Sequence, residues 1–170
     1  MSIYKNIGNW ISQQLPDAEV CHAPYEGPRS EGYVTFQIIV NDQELWAKRA
    51  ERVLNGDMID ETLSYETSIM VSINAYSPDG AMWISRLMAS RQFESAIITL
   101  MENGYDLAIS DVPQSPRNLT ALGTEGYRER WQGDFTLNYT VKHTHQIYQL
   151  KEIITGGKWD DLELENKLVQ

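Results

Sequence analysis

Between residues 65 and 111 the hydrophobic period of this chain switches from that of a strand to that of a helix and back. Residues 65–76 (YETSIMVSINAY) place Ile69, Val71, Ile73 and Ala75 on one side and Glu66, Ser68, Ser72 and Asn74 on the other, the alternation of a strand with one buried face. Ser77-Pro78-Asp79 follows, combining a capping hydroxyl, a proline suited to the first helical position and a carboxylate that complements the helix dipole. Ala81, Ile84, Leu87, Met88, Phe93, Ala96, Ile97 and Leu100 then recur at helical spacing, which predicts one long helix over 77–104 closed by Asn103-Gly104. Tyr105, Leu107 and Ile109 alternate with Asp106, Ala108 and Ser110, giving a second strand. Strand, helix and strand in that order cover one face of a sheet. The unit holds no catalytic signature and reads as scaffold.

The flanks extend the pattern. Ile3, Ile7, Trp10 and Ile11 form one helical stripe that Ser2 can cap and Pro16-Asp17 ends. Residues 18–22 predict a short strand before the turn-rich APYEGPR. Residues 33–40 alternate with an outer set that is only half polar, so both faces of this strand are expected to be covered. Residues 44–54 fit a helix or a strand, and Asn55-Gly56-Asp57 is a turn signal; the segment 41–64 is read as a β-hairpin arm. Residues 112–126, with two prolines and two glycines, predict a long loop. Residues 127–141 (YRERWQGDFTLNYTV) alternate most clearly, with Tyr127, Trp131, Phe135, Leu137, Tyr139 and Val141 on one face and Arg128, Arg130, Gln132, Asp134, Thr136, Asn138 and Thr140 on the other. Gly133 on the apolar face marks a bulge or a close backbone approach. A short helix is predicted over 146–154, broken by Gly156-Gly157, ahead of an acidic amphipathic stretch. The fold class is α/β (α+β), a mixed, mainly antiparallel sheet with helices packed on it. One domain is expected over 1–154, followed by an acidic tail over 155–170.

Composition narrows the function classes. The 170 residues suit one domain, and 42% hydrophobic with 22% charged residues is ordinary for a globular chain. The net charge of −10 argues against general nucleic-acid binding, which needs clustered cations. The single cysteine, Cys21, fits a reducing compartment. The N-terminal stretch lacks the apolar run of a signal peptide, and no segment approaches the ~20 apolar residues of a membrane span; a soluble protein made inside the cell is expected.

No active site emerges. His143 and His145 share a strand face, but a third metal ligand is not evident, and solvated histidines are the stronger reading. Cys21 and His22 point apart on a strand, which favours a buried structural thiol. Asp160-Asp161 reads as a solvated acidic face, and Gly123-Thr124-Glu125-Gly126 is too weak for a phosphate loop. No cofactor and no metal are expected. Contact candidates remain: Arg128 and Arg130 on the polar face of the best strand, and Trp46 with Arg49 and Arg52, since Trp and Arg are enriched at interface hot spots. A solvated face for the first pair and core packing for Trp46 stay open.

The order of elements, the Ile/Val-x-Ala-Tyr-Ser strand end before the helix, and the aromatic-x-x-Arg segment with its Asp-Phe-x-Leu strand (Tyr127, Arg130, Asp134, Phe135, Leu137) resemble the bacteriophage tail terminator (neck terminator, tail-completion) proteins over about residues 1–150. The resemblance implies an α/β sandwich and a non-enzymatic virion protein at the tail–neck junction. Such proteins cap the tail tube as a ring, usually hexameric, end tube polymerisation and form the joining surface to the head-side connector; in contractile phages they also contact the sheath. The implied partners are copies of the chain, the tail tube protein, the connector and the sheath protein, with no specific nucleic-acid binding, although DNA passes the lumen. A head–tail connector or tube subunit is the alternative within that class, and a small α/β hydrolase or ligand-binding domain the alternative outside it.

Overall fold

The computed structural model describes residues 3–24, 32–43, 47–56, 58–102, 106–123 and 126–148. In chain order the elements are α1 (Ile3–Gln14), β1 (Glu19–His22), β2 (Tyr33–Gln43), β3 (Arg49–Asn55), β4 (Met58–Tyr76), α2 (Gly80–Ser90), α3 (Glu94–Met101), β5 (Ala108–Asp111), β6 (Arg117–Asn118), β7 (Ala121–Gly123), β8 (Gly126–Arg128) and β9 (Trp131–Tyr148). The acidic 155–170 stretch lies outside the described residues, as do Trp46 and most of the helix expected over 146–154.

A seven-stranded mixed sheet carries the molecule, with main order β1-β2-β4-β9-β5. β1 runs parallel to β2, while β2–β4, β4–β9 and β5–β9 are antiparallel. β5 therefore runs parallel to β4 one strand removed, the relation that a strand–helix–strand crossover requires. β2 and β3 pair in turn with the same side of β4, β2 against 67–76 and β3 against 58–64.

One face of the sheet is apolar and packed under the helices. Val34 and Phe36 of β2, Ile69, Val71, Ile73 and Ala75 of β4, and Phe135 and Leu137 of β9 are buried against Ile7, Trp10 and Ile11 of α1, Ile84 and Leu87 of α2, and Ala96 and Leu100 of α3. The alternation in β4 and β9 and the stripe in α1 thus do what their periods predict. Trp10 lies edge-on to Phe135, with ring centroids 5.6 Å apart, and its Nε1 donates to Ser90 Oγ at 2.9 Å. Asn6 Nδ2 donates to the Leu100 carbonyl at 3.2 Å, which ties α1 to the end of α3. Gly133 is a close approach: a Cβ there would stand 2.8 Å from Ile84 Cγ2. That fits the helix-side position its place in the alternation predicted.

Four expectations are corrected. The single helix over 77–104 is two helices, because α2 ends at Ser90 and Phe93 turns extended (φ −87°, ψ 126°) before α3 begins at Glu94. Pro78 lies in the turn before α2, which begins at Gly80, and Ser77 Oγ accepts from the Asp79 N–H rather than capping the helix. The loop over 112–126 contains β6, paired with β9, and β7, paired with β8. The strand over 127–141 breaks at 129–130, and β9 runs on to Tyr148 through the first residues of the predicted helix. Pairing with β4 as far as Met58↔Tyr148 outweighs the helical spacing of Ile147, Leu150 and Ile153, since strand preference depends on tertiary partners.

A candidate assembly surface

Among the described residues three regions stand apart from the helix-packed core. The first is an arm. Beyond residue 67, where the helices stop covering the sheet, β4 and β9 continue as a ribbon that β3 joins as a third strand. The β3–β4 turn uses Gly56 at φ +66°, a left-handed conformation that glycine adopts without penalty. All seven β3 residues are exposed, and their alternating charges suit a strand edge that must not pair with stray chains.

The register sorts the arm into two faces. Arg49 pairs with Ser64 and Arg52 with Glu61, so the two arginines, three apart on a strand, point to opposite sides. The contact cluster expected of Arg49 and Arg52 is therefore split. Arg52 Nη2 meets Glu61 Oε1 at 2.7 Å, and His145 Nε2 stands 3.0 Å from Glu61 Oε2. On the other face Arg49 Nη2 meets Glu51 at 2.6 Å, and the Thr62 and Thr144 hydroxyls hydrogen-bond at 2.8 Å. Back on the Arg52 face, His143 stacks edge-on against Tyr65. Among the described residues no group of three or more His, Cys, Asp or Glu side chains could hold a metal ion.

Two carboxylates on the arm titrate below their ordinary range. Asp60 is lowered mainly by the Asn55 amide at 2.8 Å and then by the Gln146 amide. Glu61 is lowered mainly by its hydrogen bond from Arg52. A carboxylate whose folded pKa is depressed contributes stability that is complete above its unfolded pKa and is lost as pH falls through the folded value. The arm is therefore expected to keep its structure from neutrality to about pH 5 and to loosen below about pH 4. Methyl NMR is the check: the Leu54, Ile59 and Ile147 signals should move toward random-coil positions on acidification while those of Ile69 and Ile73 hold. Simultaneous movement of both sets would refute a local effect.

The second region is the sheet face opposite the helices. Arg130 Nε and Nη2 donate to Asn74 Oδ1 at 3.1 and 2.9 Å, and its guanidinium sits 5.8 Å above the Tyr76 ring, which itself stacks on Tyr33. Gln132 Nε2 donates to Ser72 Oγ at 2.8 Å and to Asp134 Oδ1 at 2.9 Å, and Asp134 also pairs with Arg117. This face is a polar network spread across β4, β6 and β9. Arg130 is held by it, far along the strands from Arg49 and Arg52. Arg128 lies in β8, of which only the backbone is described.

The third region is the outer side of α3. Phe93, Ile97 and Met101 form a stripe, with Ile98 beside it, and these four are 46%, 46%, 50% and 55% exposed. Phe93 and Ile97, expected on the core side, lie outside. Ile97 and Met101 also rim an apolar groove of about 280 Å³ floored by Ala96, Leu100, Leu107 and Ile109. That is below the ~300–1,000 Å³ of small-molecule pockets. In ESAIITLM the apolar Ile97, Ile98 and Met101 come in addition to the buried Ala96 and Leu100, more than one buried face requires.

A family model described as phage neck terminator protein matches residues 1–160. The chain belongs to that family. No curated protein matched the chain. Family membership makes this a phage tail and neck structural protein, and the three regions above are where contacts with other tail or head proteins are to be sought. Among the described residues no helix is long and apolar enough to cross a membrane.

Proposed function

We propose that this neck terminator protein closes into a hexameric ring on the last ring of the tail tube, ends tube polymerisation there and forms the joining surface to the head-side connector. In this reading it works at the tail–neck junction of the virion without catalysing a reaction, and residues 1–154 act as one unit. The observation that carries it is the exposed apolar patch on α3, which lies on a different element from the arm. A ring closes through heterologous contacts, so each chain needs two unlike complementary surfaces, and contiguous exposed apolar side chains mark protein contacts. The α3 patch supplies one flank. Arg128 and Arg130 lie toward the neighbouring subunit. The arm, with Trp46, Arg49 and Arg52, and the 113–126 segment reach neighbouring rings of tube, connector or, in a contractile tail, sheath. Six chains of charge −10 give a ring near −60, which favours passage of DNA without adhesion by like-charge repulsion.

The test adds purified protein to growing tail tubes and images the products by negative stain. Short tubes closed at one end by a ring with a central hole are expected. Incorporation of the protein along the tube length would replace this reading with that of a tube subunit.

A further inference from the structure

The arm carries a face that its own strands leave uncovered. Odd-numbered positions of β4 point to the helix side in the core, and the same side continues outward through Tyr65, Leu63, Glu61 and Ile59. The pairing adds Val141, His143, His145 and Ile147 from β9 and Ala50, Arg52 and Leu54 from β3. The rows read outward as apolar, mixed, charged and apolar, ending in Leu54–Ile59–Ile147, where Leu54 is 62% exposed. The opposite side of the arm is polar apart from Val53, Met58 and Tyr148. In the core the same side of the same two strands is sealed by helices, so the arm repeats the core pattern with nothing described above it.

We infer that residues 158–168 of the same chain dock on this helix-side face of the arm. Tyr148 pairs with Met58 next to the β3–β4 turn, so the chain from residue 149 departs from the arm's tip. Gly156-Gly157 provides a permissive reversal point, after which the chain runs back along the ribbon. The reach suffices: residues 141–147 span about 20 Å of strand, and residues 158–168 cover about 16 Å as a helix and more if extended. The chemistry matches as well. In an extended segment Leu162, Leu164 and Leu168 share one side and meet the apolar rows, with Asp160 on that same side facing the row in which Arg52 pairs with Glu61 beside His145. The family match ends at residue 160, so Leu162, Leu164 and Leu168 lie beyond it. The inference stands independently of the ring.

A photo-crosslinking residue placed at 164 (Leu164→benzoylphenylalanine) in the full chain tests this, with light and isotope-heavy chains mixed before irradiation. Crosslinks to residues 50–54, 59–65 or 141–147 are expected within chains of one isotope. Crosslinks joining light to heavy chains would show a second copy on this face and overturn the proposal; crosslinks elsewhere, or none, would overturn it too. As a second measurement, truncation after Thr155 is expected to speed tryptic cleavage within the arm about tenfold, since local opening sets that rate. Cleavage at an unchanged rate would count against docking.

Discussion

Trp10→Ala should lower the unfolding free energy by about 3–5 kcal/mol, the largest loss expected from any single truncation here. Trp10 is fully buried, and it joins three elements at once. Its ring meets Phe135 of β9 edge-on, and its Nε1 donates to Ser90 at the end of α2. Removing it leaves a cavity between α1 and the sheet that the packed strands cannot close, because Phe135 is held between its own strand neighbours. The hydrogen bond adds little to the sum. Ser90 Oγ still donates to the Leu87 carbonyl at 2.7 Å, so Trp10→Phe, which keeps most of the volume, is expected to cost only about 1–2 kcal/mol. For a chain of this size each kcal/mol moves Tm by roughly 2–4 °C, so Trp10→Ala should melt at least about 6 °C lower. Urea unfolding with an unchanged m-value is the measurement. A loss below about 1 kcal/mol would mean that α1 is not an integral part of the core.

How far the fold was legible follows from where burial imposed a phase. β4 over 69–75 and β9 over 133–137 bury one face completely, so their alternation is strict and their assignment follows from sequence alone. α1 is similar, since Ile7, Trp10 and Ile11 have no rival face. The arm was ambiguous for the opposite reason. Among the described residues no helix covers it, Glu61 interrupts Leu63 and Ile59 on the same side, and Arg49 and Arg52 resemble a helical pair although the strand sends them to opposite faces. The break at 91–93 was hidden because Phe93, Ile97 and Leu100 continue a helical spacing across it. Only the packing of Ala96 and Leu100 inward, with Phe93 and Ile97 outward, reveals the change of direction. For the assembly surface, the residue types were legible but not their grouping: Arg130 is occupied by Asn74 and Tyr76, while the α3 patch carries no charge or motif to mark it.

That patch gives the second large effect. Ile98→Glu combined with Met101→Glu should leave the fold intact and disperse the proposed ring. Both side chains are at least half exposed in the single chain, so their replacement is expected to change stability by no more than about 0.5 kcal/mol each. In the proposed ring each patch is buried against a neighbour. Covering the remaining exposed half of two such side chains contributes about 1–1.5 kcal/mol apiece, and two carboxylates must then be desolvated without partners. A loss of about 3 kcal/mol per contact weakens each interface on the order of 100-fold, and a closed ring compounds that loss at every junction. Circular dichroism and Tm should match the parent, while native mass spectrometry and negative stain show monomers, and tube growth continues unchecked. Mutating the polar side of the arm separates this flank from the others: Arg49→Glu is expected to spare ring closure and weaken attachment to the tube, since Arg49 lies on neither α3 nor the helix-side face. Rings of normal abundance from the α3 double variant would remove α3 from the flank and leave the groove beside it as a feature of the isolated chain alone.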